Sequence, residues 1–247
     1  MGTHHPSDLA GVRGEPSYIW RDGQERRLRL IGHWAKLSSA SVLEAGCGVG
    51  TYSSQIRRRF SLDVEAFDLE IERVRIARVD TPHALVAAAE ALPYRANAFD
   101  TILSSEVIEH VKDDRAAVAE LVRVLKPGGR IVLFCPNRWY PVEQHGHYWR
   151  GEYHFGNTPL INYLPDRWRN KLAPHVRTYT ARQVRHLFDG LPVKIVHHSR
   201  IFGGYDNIIY RYPHLGRWLR DALYVLERTP FRWFGLSHLL VIEKFEA

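Results

Sequence analysis

Apolar positions recur along this chain with two different periods, and the periods alternate. Between Tyr18 and Leu37, residues Leu28, Ile31, Trp34 and Ala35 fall at helical spacing and predict one helix face. The run VLEA from Val42 is short and apolar, as a buried parallel strand is, and a helix follows over Thr51 to Phe60. The segment DVEAFDLE supplies a second strand ending at Asp68, followed by a helix over 70–79 and a short strand over 84–88. FDTILSS, 99–105, is a fourth strand. Asp113 and Asp114 open the next helix with favourable charge, and Val118, Leu121, Val122 and Leu125 form its buried face. Pro127 cannot continue that helix, and Gly128 with Gly129 turns the chain into the strand RIVLFCP. Strands alternating with helices predict an α/β fold with a parallel sheet between helical layers.

Beyond Pro136 the alternation stops. More than 40 residues, about 137–180, are rich in Trp, Tyr, His, Arg and Pro, and loops that long inside a domain are usually functional. Thr180 with Gln183 then forms a capping-box pattern that opens a helix ending near Gly190. PVKIVHHSRIF and SHLLVIEKF are the last two strands, separated by an aromatic and basic excursion over 205–232. Residues 1–16, rich in Gly, Pro, Ser and His, read as a disordered leader, and 17–247 as a single domain carrying the insertion.

Composition narrows the setting. No apolar run is long enough to span a bilayer and the first residues contain no signal-peptide core, so a soluble, cytoplasmic protein is expected. Cys47 and Cys135 make neither a zinc pattern nor a disulfide framework and read as small buried thiols. Thirty-four Lys and Arg against 27 Asp and Glu give +7, a surface suited to nucleic acid, anionic head groups or acidic small molecules without choosing among them.

The candidate chemistry starts at VLEAGCGVGTYS. Gly46, Gly48 and Gly50 allow a tight turn and close approach of a ligand to the backbone, and the helix that follows aims free N–H groups at that ligand. The dinucleotide pattern GxGxxG fails, because its third glycine would fall on Thr51. The spacing GxGxG, the acid at Asp68, the AEALPY run at 89–94 and the LKPGG run before a strand together resemble the class I S-adenosylmethionine-dependent methyltransferases. The likeness covers roughly residues 40–136. It implies a three-layer αβα, Rossmann-like fold whose seven-stranded sheet is mostly parallel with an antiparallel last strand, and S-adenosylmethionine as cofactor. It assigns cofactor contacts to Glu44, Gly46, Cys47, Gly48, Gly50, Asp68, Leu69, Ala89, Glu90, Ala91, Ser104 and Ser105. Asp68 stands where such sheets place the acid for ribose hydroxyls. The family usually has Asp immediately before the alanine at 89, whereas this chain has Ala88, so Glu90 is the candidate for the adenine amino group.

Two clusters are candidates for the acceptor side. In SSEVIEHV, Glu106, Glu109 and His110 share a helix face, an arrangement similar to the E-x-x-E-H helix that carries a divalent metal in ubiquinone-biosynthesis O-methyltransferases. Metal ligation by the trio, general-base work by His110 and a purely structural use all remain open. In the insertion, Asn137, Trp139, Tyr140, Glu143, His145, His147 and Trp149 combine aromatic walls with a few polar groups. Trp139, Tyr140, His147 and Trp149 are candidates for acceptor contact and His145 for catalysis, against simple aromatic packing of a lid. Zinc at His145 and His147 lacks cysteine partners.

The expected function is transfer of a methyl group to a small-molecule acceptor, most naturally an oxygen of a quinone, lipid-linked, glycan or secondary-metabolite compound. A nucleic-acid methyltransferase is the enzyme alternative, although no NPPY-type motif occurs and Cys135-Pro136 is in the wrong order for a catalytic Pro-Cys. A cofactor-binding partner that has lost catalysis is the alternative outside enzymology. Over 211–232, apolar residues near one helix face alternate with arginines, which suits either core packing or an anionic membrane surface.

Overall fold

The computed structural model describes residues 20–245, so the leader assigned to 1–16 and Tyr18 at the start of the first predicted helix lie outside the described residues. Seven strands form one sheet. They are β1 (Val42–Ala45), β2 (Val64–Asp68), β3 (Ala84–Val86), β4 (Phe99–Ser105), β5 (Leu125–Pro136), β10 (Val193–Ile201) and β11 (Ser237–Lys244), in the order β10-β11-β5-β4-β1-β2-β3. The five N-terminal strands pair in parallel, whereas β11 runs antiparallel to both β5 and β10. The antiparallel last strand is therefore inserted one place inside the edge.

Helices cover both faces because strand residues alternate between them. Leu43, Ala45, Ile102, Ile131 and Leu133 pack with Val118, Leu121 and Val122 of the helix Asp114–Val124 on one side. Their neighbours Val42, Leu103, Val132 and Phe134 pack with Leu28 and Ile31 of α1 (Asp22–Trp34) and Ile56 of α2 (Thr51–Arg59) on the other. This two-residue alternation, buried on both faces, is what a central parallel strand requires. The helix Ile71–Ala77, α3, lies before β3, and Asp113 caps α4, Asp114–Val124, by accepting from the Ala116 N–H.

The LKPGG run differs from its expected form. Leu125 already pairs with Phe99, Arg130 pairs with Thr101, and the residues between bulge out of the ladder, with Gly128 at φ 72°. Pro127 thus ends the helix, but the strand has begun before it, because a bulge lets the ladder continue past a residue without an N–H.

The insertion is a small structure of its own. Two short antiparallel pairs, β6 (Val142–Glu143) with β9 (Thr158–Pro159) and β7 (His147–Trp149) with β8 (Glu152–His154), are followed by a 3-10 turn at 161–163 and the helix Asp166–Leu172, α5. A bridge between Asn137 and Tyr179 closes its base. Thr180 and Gln183 cap each other as the capping box predicts, opening α6, Ala181–His186. The excursion between the last strands holds α7 (Asp206–Arg211), α8 (Pro213–Leu226) and a 3-10 turn at 230–234.

Candidate active site

The loop after β1 is shaped by its backbone. Gly46, Gly48 and Gly50 all have positive φ, 62°, 53° and 79°, a region that side chains rarely tolerate. At position 46 a Cβ would also stand 2.5 Å from Val107 Cγ2, so the loop touches the segment after β4 only through glycine. The Cys47 N–H donates to the Phe67 carbonyl at 2.8 Å and the Gly48 N–H to Asp68 Oδ2 at 2.8 Å, which ties the loop to the end of β2. Glu44 accepts from the Ser53 N–H at 2.7 Å, inside the first turn of α2. Burial pushes that carboxyl up to about 7 despite its hydrogen bonds to Ser53.

Beside this loop lies a cleft of about 380 Å³, lined by Gly46, Phe67 to Glu70, Arg73, Ala87 to Glu90, Glu106, Val107 and His110 to Lys112. Its volume suits a nucleoside-sized ligand. S-adenosylmethionine fits the donor set. Asp68 Oδ1 and Oδ2 each accept one backbone N–H, from Glu70 and Gly48, and a carboxylate has about four lone-pair sites, which leaves capacity for ribose hydroxyls. Phe67, Leu69, Val107 and Val111 supply apolar wall, and Ala88 leaves the adenine side open where an Asp would stand. Glu90 accepts from the Lys112 N–H at 2.8 Å and so joins two walls of the cleft.

A second hollow, about 150 Å³, shares Glu106 with that cleft and is otherwise bounded by Arg27, Asn137, Tyr140, Glu143, His145, Asn162, Leu236 and Ser237 among others. Arg27 reaches from α1 to donate to Ser105 Oγ at 3.0 Å, Glu106 Oε1 at 2.8 Å and Ser237 Oγ at 3.0 Å. Glu106 itself has φ 57°, a conformation that costs a non-glycine residue free energy and persists only where its surroundings hold it. Burial alone would raise the Glu106 carboxyl. The Arg27 guanidinium, His145 and the Ser237 hydroxyl bring it below the usual carboxylate range.

His145 enters from the insertion. Its Nδ1 is 2.8 Å from Glu143 Oε1, and Glu143 Oε2 accepts from Arg169 at 3.0 Å, with Glu143 and Arg169 each 1% exposed. Burial opposes the Glu143 charge, but the hydrogen bonds from His145 and the Arg169 cation hold it down at about 2. The His145 ring lies 5.3 Å from that of His110, centroid to centroid. Burial and the neighbouring His145 hold His110 down at about 4, and its Nδ1 is 3.2 Å from the His175 carbonyl. Ligand atoms of Glu109, His110 and His145 all lie within 4.8 Å of one another. Both Glu109 carboxyl oxygens are buried without a hydrogen-bond partner of ordinary geometry, and burial together with the Glu106 charge raises this carboxyl well above its usual range. A buried carboxyl in that position is explained by a bound proton or a bound cation.

Not every expected residue reaches these walls. Gly46, Asp68, Leu69, Ala89, Glu90, Glu106 and His110 line the cofactor cleft, and Tyr140 and His145 line the smaller hollow. Glu44 instead grips α2, the Cys47 side chain packs among Ala66, Val74, Ala77 and Ala84, and Ala91 is exposed beyond the cleft with its N–H on the Ala88 carbonyl. Ser104 is buried in β4, and Ser105 is engaged by Arg27. Trp139 stands over Tyr163 with its ring centroid 6.3 Å away, outside both cavity walls. His147 bonds Thr158 and stacks on His154, and Trp149 is more than half exposed at the tip of β7. Both belong to the β7–β8 hairpin, paired with His154 and Glu152, and neither lines the hollow. Asn137 does border the smaller hollow, but its amide serves as a strut, donating to the Trp233 and Gly235 carbonyls. The possible metal trio also changes membership. Glu106 is occupied by Arg27 and Ser237, and His145 takes its place beside Glu109 and His110. Arg27 and Arg169 were not singled out in the sequence. Their carboxylate and hydroxyl partners lie 26 to 210 residues away, a separation no local pattern marks.

Comparison with known proteins agrees with this geometry. Residues 43–133 match the protein-family profile described as "Methyltransferase domain". The chain is 29% identical over 153 residues to a ubiquinone biosynthesis O-methyltransferase of Xanthomonas oryzae pv. oryzae (strain PXO99A), covering 56% of this chain and 64% of that protein. It is 42% identical over 97 residues to a malonyl-[acyl-carrier protein] O-methyltransferase of Salmonella typhimurium, covering 38% of each. The chain thus spans less than two thirds of the length of these curated relatives. A crystal structure of an S-adenosylmethionine dependent methyltransferase from Mesorhizobium loti superposes with TM-score 0.63 at 18% identity over 90% of this chain and 98% of that one, a likeness of fold. The glycine loop tied to Asp68 lies within the stretch, residues 43–133, that matches the methyltransferase domain, and the fold is shared with S-adenosylmethionine-dependent methyltransferases.

Proposed function

We propose that the chain transfers a methyl group from S-adenosylmethionine to a hydroxyl oxygen of a small acceptor, with an amphipathic quinone, lipid-linked or glycan compound as the class that suits the second hollow. The observation that carries this reading is the imidazole of His145, buttressed by Glu143 and Arg169, on the wall of a hollow that meets the cofactor cleft at Glu106. Its support from relatives is that the two named above are O-methyltransferases.

When bound, the cofactor supplies a methyl carbon on a cationic sulfur, which leaves as a neutral thioether and needs no acid. The protein therefore has two tasks, orientation and proton removal. Glu143 accepts from Nδ1 of His145, which fixes the tautomer and leaves Nε2 as acceptor for the hydroxyl proton. Arg27 and Ser237 hold Glu106 between the two cavities, and Tyr140 and Asn162 shape the acceptor side. His145 would take the acceptor's hydroxyl proton at Nε2.

A second reading is favoured by the unpartnered Glu109 oxygens: Glu109, His110 and His145 would hold a divalent cation that lowers the acceptor's pKa. One experiment separates the two. His145→Ala should lower turnover by roughly 10²- to 10⁴-fold, the usual worth of a positioned base, with cofactor affinity unchanged. Full turnover in excess chelator selects the base. Loss restored by magnesium or zinc, with saturable metal binding that Glu109→Gln removes, selects the cation. Unchanged turnover in His145→Ala overturns both.

A further inference from the structure

The excursion between β10 and β11 carries an exposed face that the catalytic reading does not use. In α8 only Gly216 is buried, and a Cβ there would stand 2.6 Å from the Ile209 backbone, so α7 packs against that side of the helix. Trp218 and Val225 lie on the opposite side and Leu215 on the adjoining flank, at i+3, i+10 and i, 68%, 64% and 59% exposed. Tyr210, Tyr212, Phe231, Trp233 and Phe234 are exposed on the adjoining α7 and the 3-10 turn that packs against α8. Apolar exposure of this extent marks an interaction surface.

Charge selects the occupant. Arg211, Arg217, Arg228 and Arg232 are exposed on the same stretch, and none forms an ion pair among the described residues. The stretch exposes a single carboxylate, Asp221, which is paired with Arg220. A second copy of this face would bring like charges together, whereas an anionic bilayer meets both the arginines and the aromatic rings, which favour the head-group level. No helix among the described residues is long and apolar enough to cross a membrane, so such a helix would lie in the interface plane. The excursion's roots border the acceptor side: Leu236 lines the small hollow, and Gly203, Gly204 and Tyr224 line a third cavity that shares Arg27 with it.

From these features we infer that residues 208–234 dock the protein on an anionic lipid surface, with Leu215, Trp218 and Val225 entering the head-group boundary and the four arginines contacting lipid phosphates. Docking rests on this face alone. Delivery of a lipid-soluble acceptor to the hollow rests additionally on the methyl-transfer reading.

Co-sedimentation of the full chain with vesicles of phosphatidylcholine, with and without phosphatidylglycerol, is the test, and it is read without turnover. Binding should require phosphatidylglycerol and weaken as salt rises. Arg217→Ala with Arg228→Ala should weaken it by roughly tenfold to thirtyfold, since each basic residue near such a surface contributes comparably. Leu215→Ala with Trp218→Ala should weaken it at least as much, while both variants keep wild-type affinity for S-adenosylmethionine. Absence of binding at low salt, equal binding to both vesicle types, or binding indifferent to both variants overturns the inference. So does a concentration-dependent dimer that the same substitutions abolish, which would assign the face to a second copy.

Discussion

Two buried glutamates, one beside the glycine loop and one in the insertion, carry charges with opposite fates. Glu44, in the cofactor half, meets the Ser53 N–H and no cation, and burial pushes its carboxyl up to about 7. Glu143, in the acceptor half, lies between His145 and Arg169 and is held at about 2. The cofactor half is built from backbone conformation, with dipoles of a strand, a loop and a helix start arranged over a dozen residues. The acceptor half is built from side-chain charges, gathered from α1, the end of β4, the insertion and β11. The first kind of site tolerates little change of shape; the second tolerates little change of charge.

Changing shape in the cofactor half should have the largest effect. Gly46→Val adds a branched side chain at φ 62° and within 2.5 Å of Val107, so loss of detectable S-adenosylmethionine binding is expected. Calorimetry checks this, with circular dichroism to establish that the variant is folded. Near-native affinity in a folded variant would show that shape at this loop does not govern the cleft.

Changing charge in the acceptor half comes next. Arg169→Ala leaves Glu143 buried without its cation, and breaking such a pair costs about 3 to 5 kcal/mol. Because α5 and the short strands of the insertion are tied to one another more than to the sheet, the loss should show as early melting of 137–180 by hydrogen exchange. Cofactor affinity should stay within about twofold, since Arg169 touches no wall of the cleft. A uniform loss of protection across the sheet would mean that the two halves are one cooperative unit.

The same contrast explains what the sequence discloses. Strands β1, β2, β4 and β5, the glycine loop and Asp68 are legible because each is a contiguous pattern whose geometry is local, a period of two or a glycine where φ must be positive. The capping box at Thr180 and the Asp113 cap are legible for the same reason. His145 was legible as a candidate, but its partner Arg169 was not, because 26 residues of irregular chain separate the buried pair. Arg27 sits on a helix whose apolar face was readable, yet only the closing of β11 against β5 brings Ser237 to it. His147 and Trp149 looked equivalent to His145 in sequence. Their place in the β7–β8 hairpin, paired with His154 and Glu152, keeps them off the walls of the hollow.

The smallest expected effect is the pH dependence of Glu44, and it tests whether that half lacks a compensating cation. Its folded pKa, about 7, lies above the unfolded value near 4.5, so the folded state holds the proton more tightly. Stability from this group is therefore fully present below pH 4.5 and is lost as pH rises through 7. For those two values the loss between pH 6 and pH 8 is on the order of 1 kcal/mol. Glu44→Gln keeps an oxygen for the Ser53 N–H but cannot ionise, so its melting temperature should change less over that interval than that of the native chain. At roughly 2 to 4 °C per kcal/mol for a domain of this size, the difference between the two proteins is a few degrees, about 2 to 4 °C. The slope belongs to Glu44 only if the glutamine variant flattens it. An unchanged slope would mean that the Glu44 carboxylate stays ionised in the fold, with a positive partner that the backbone of α2 alone does not supply.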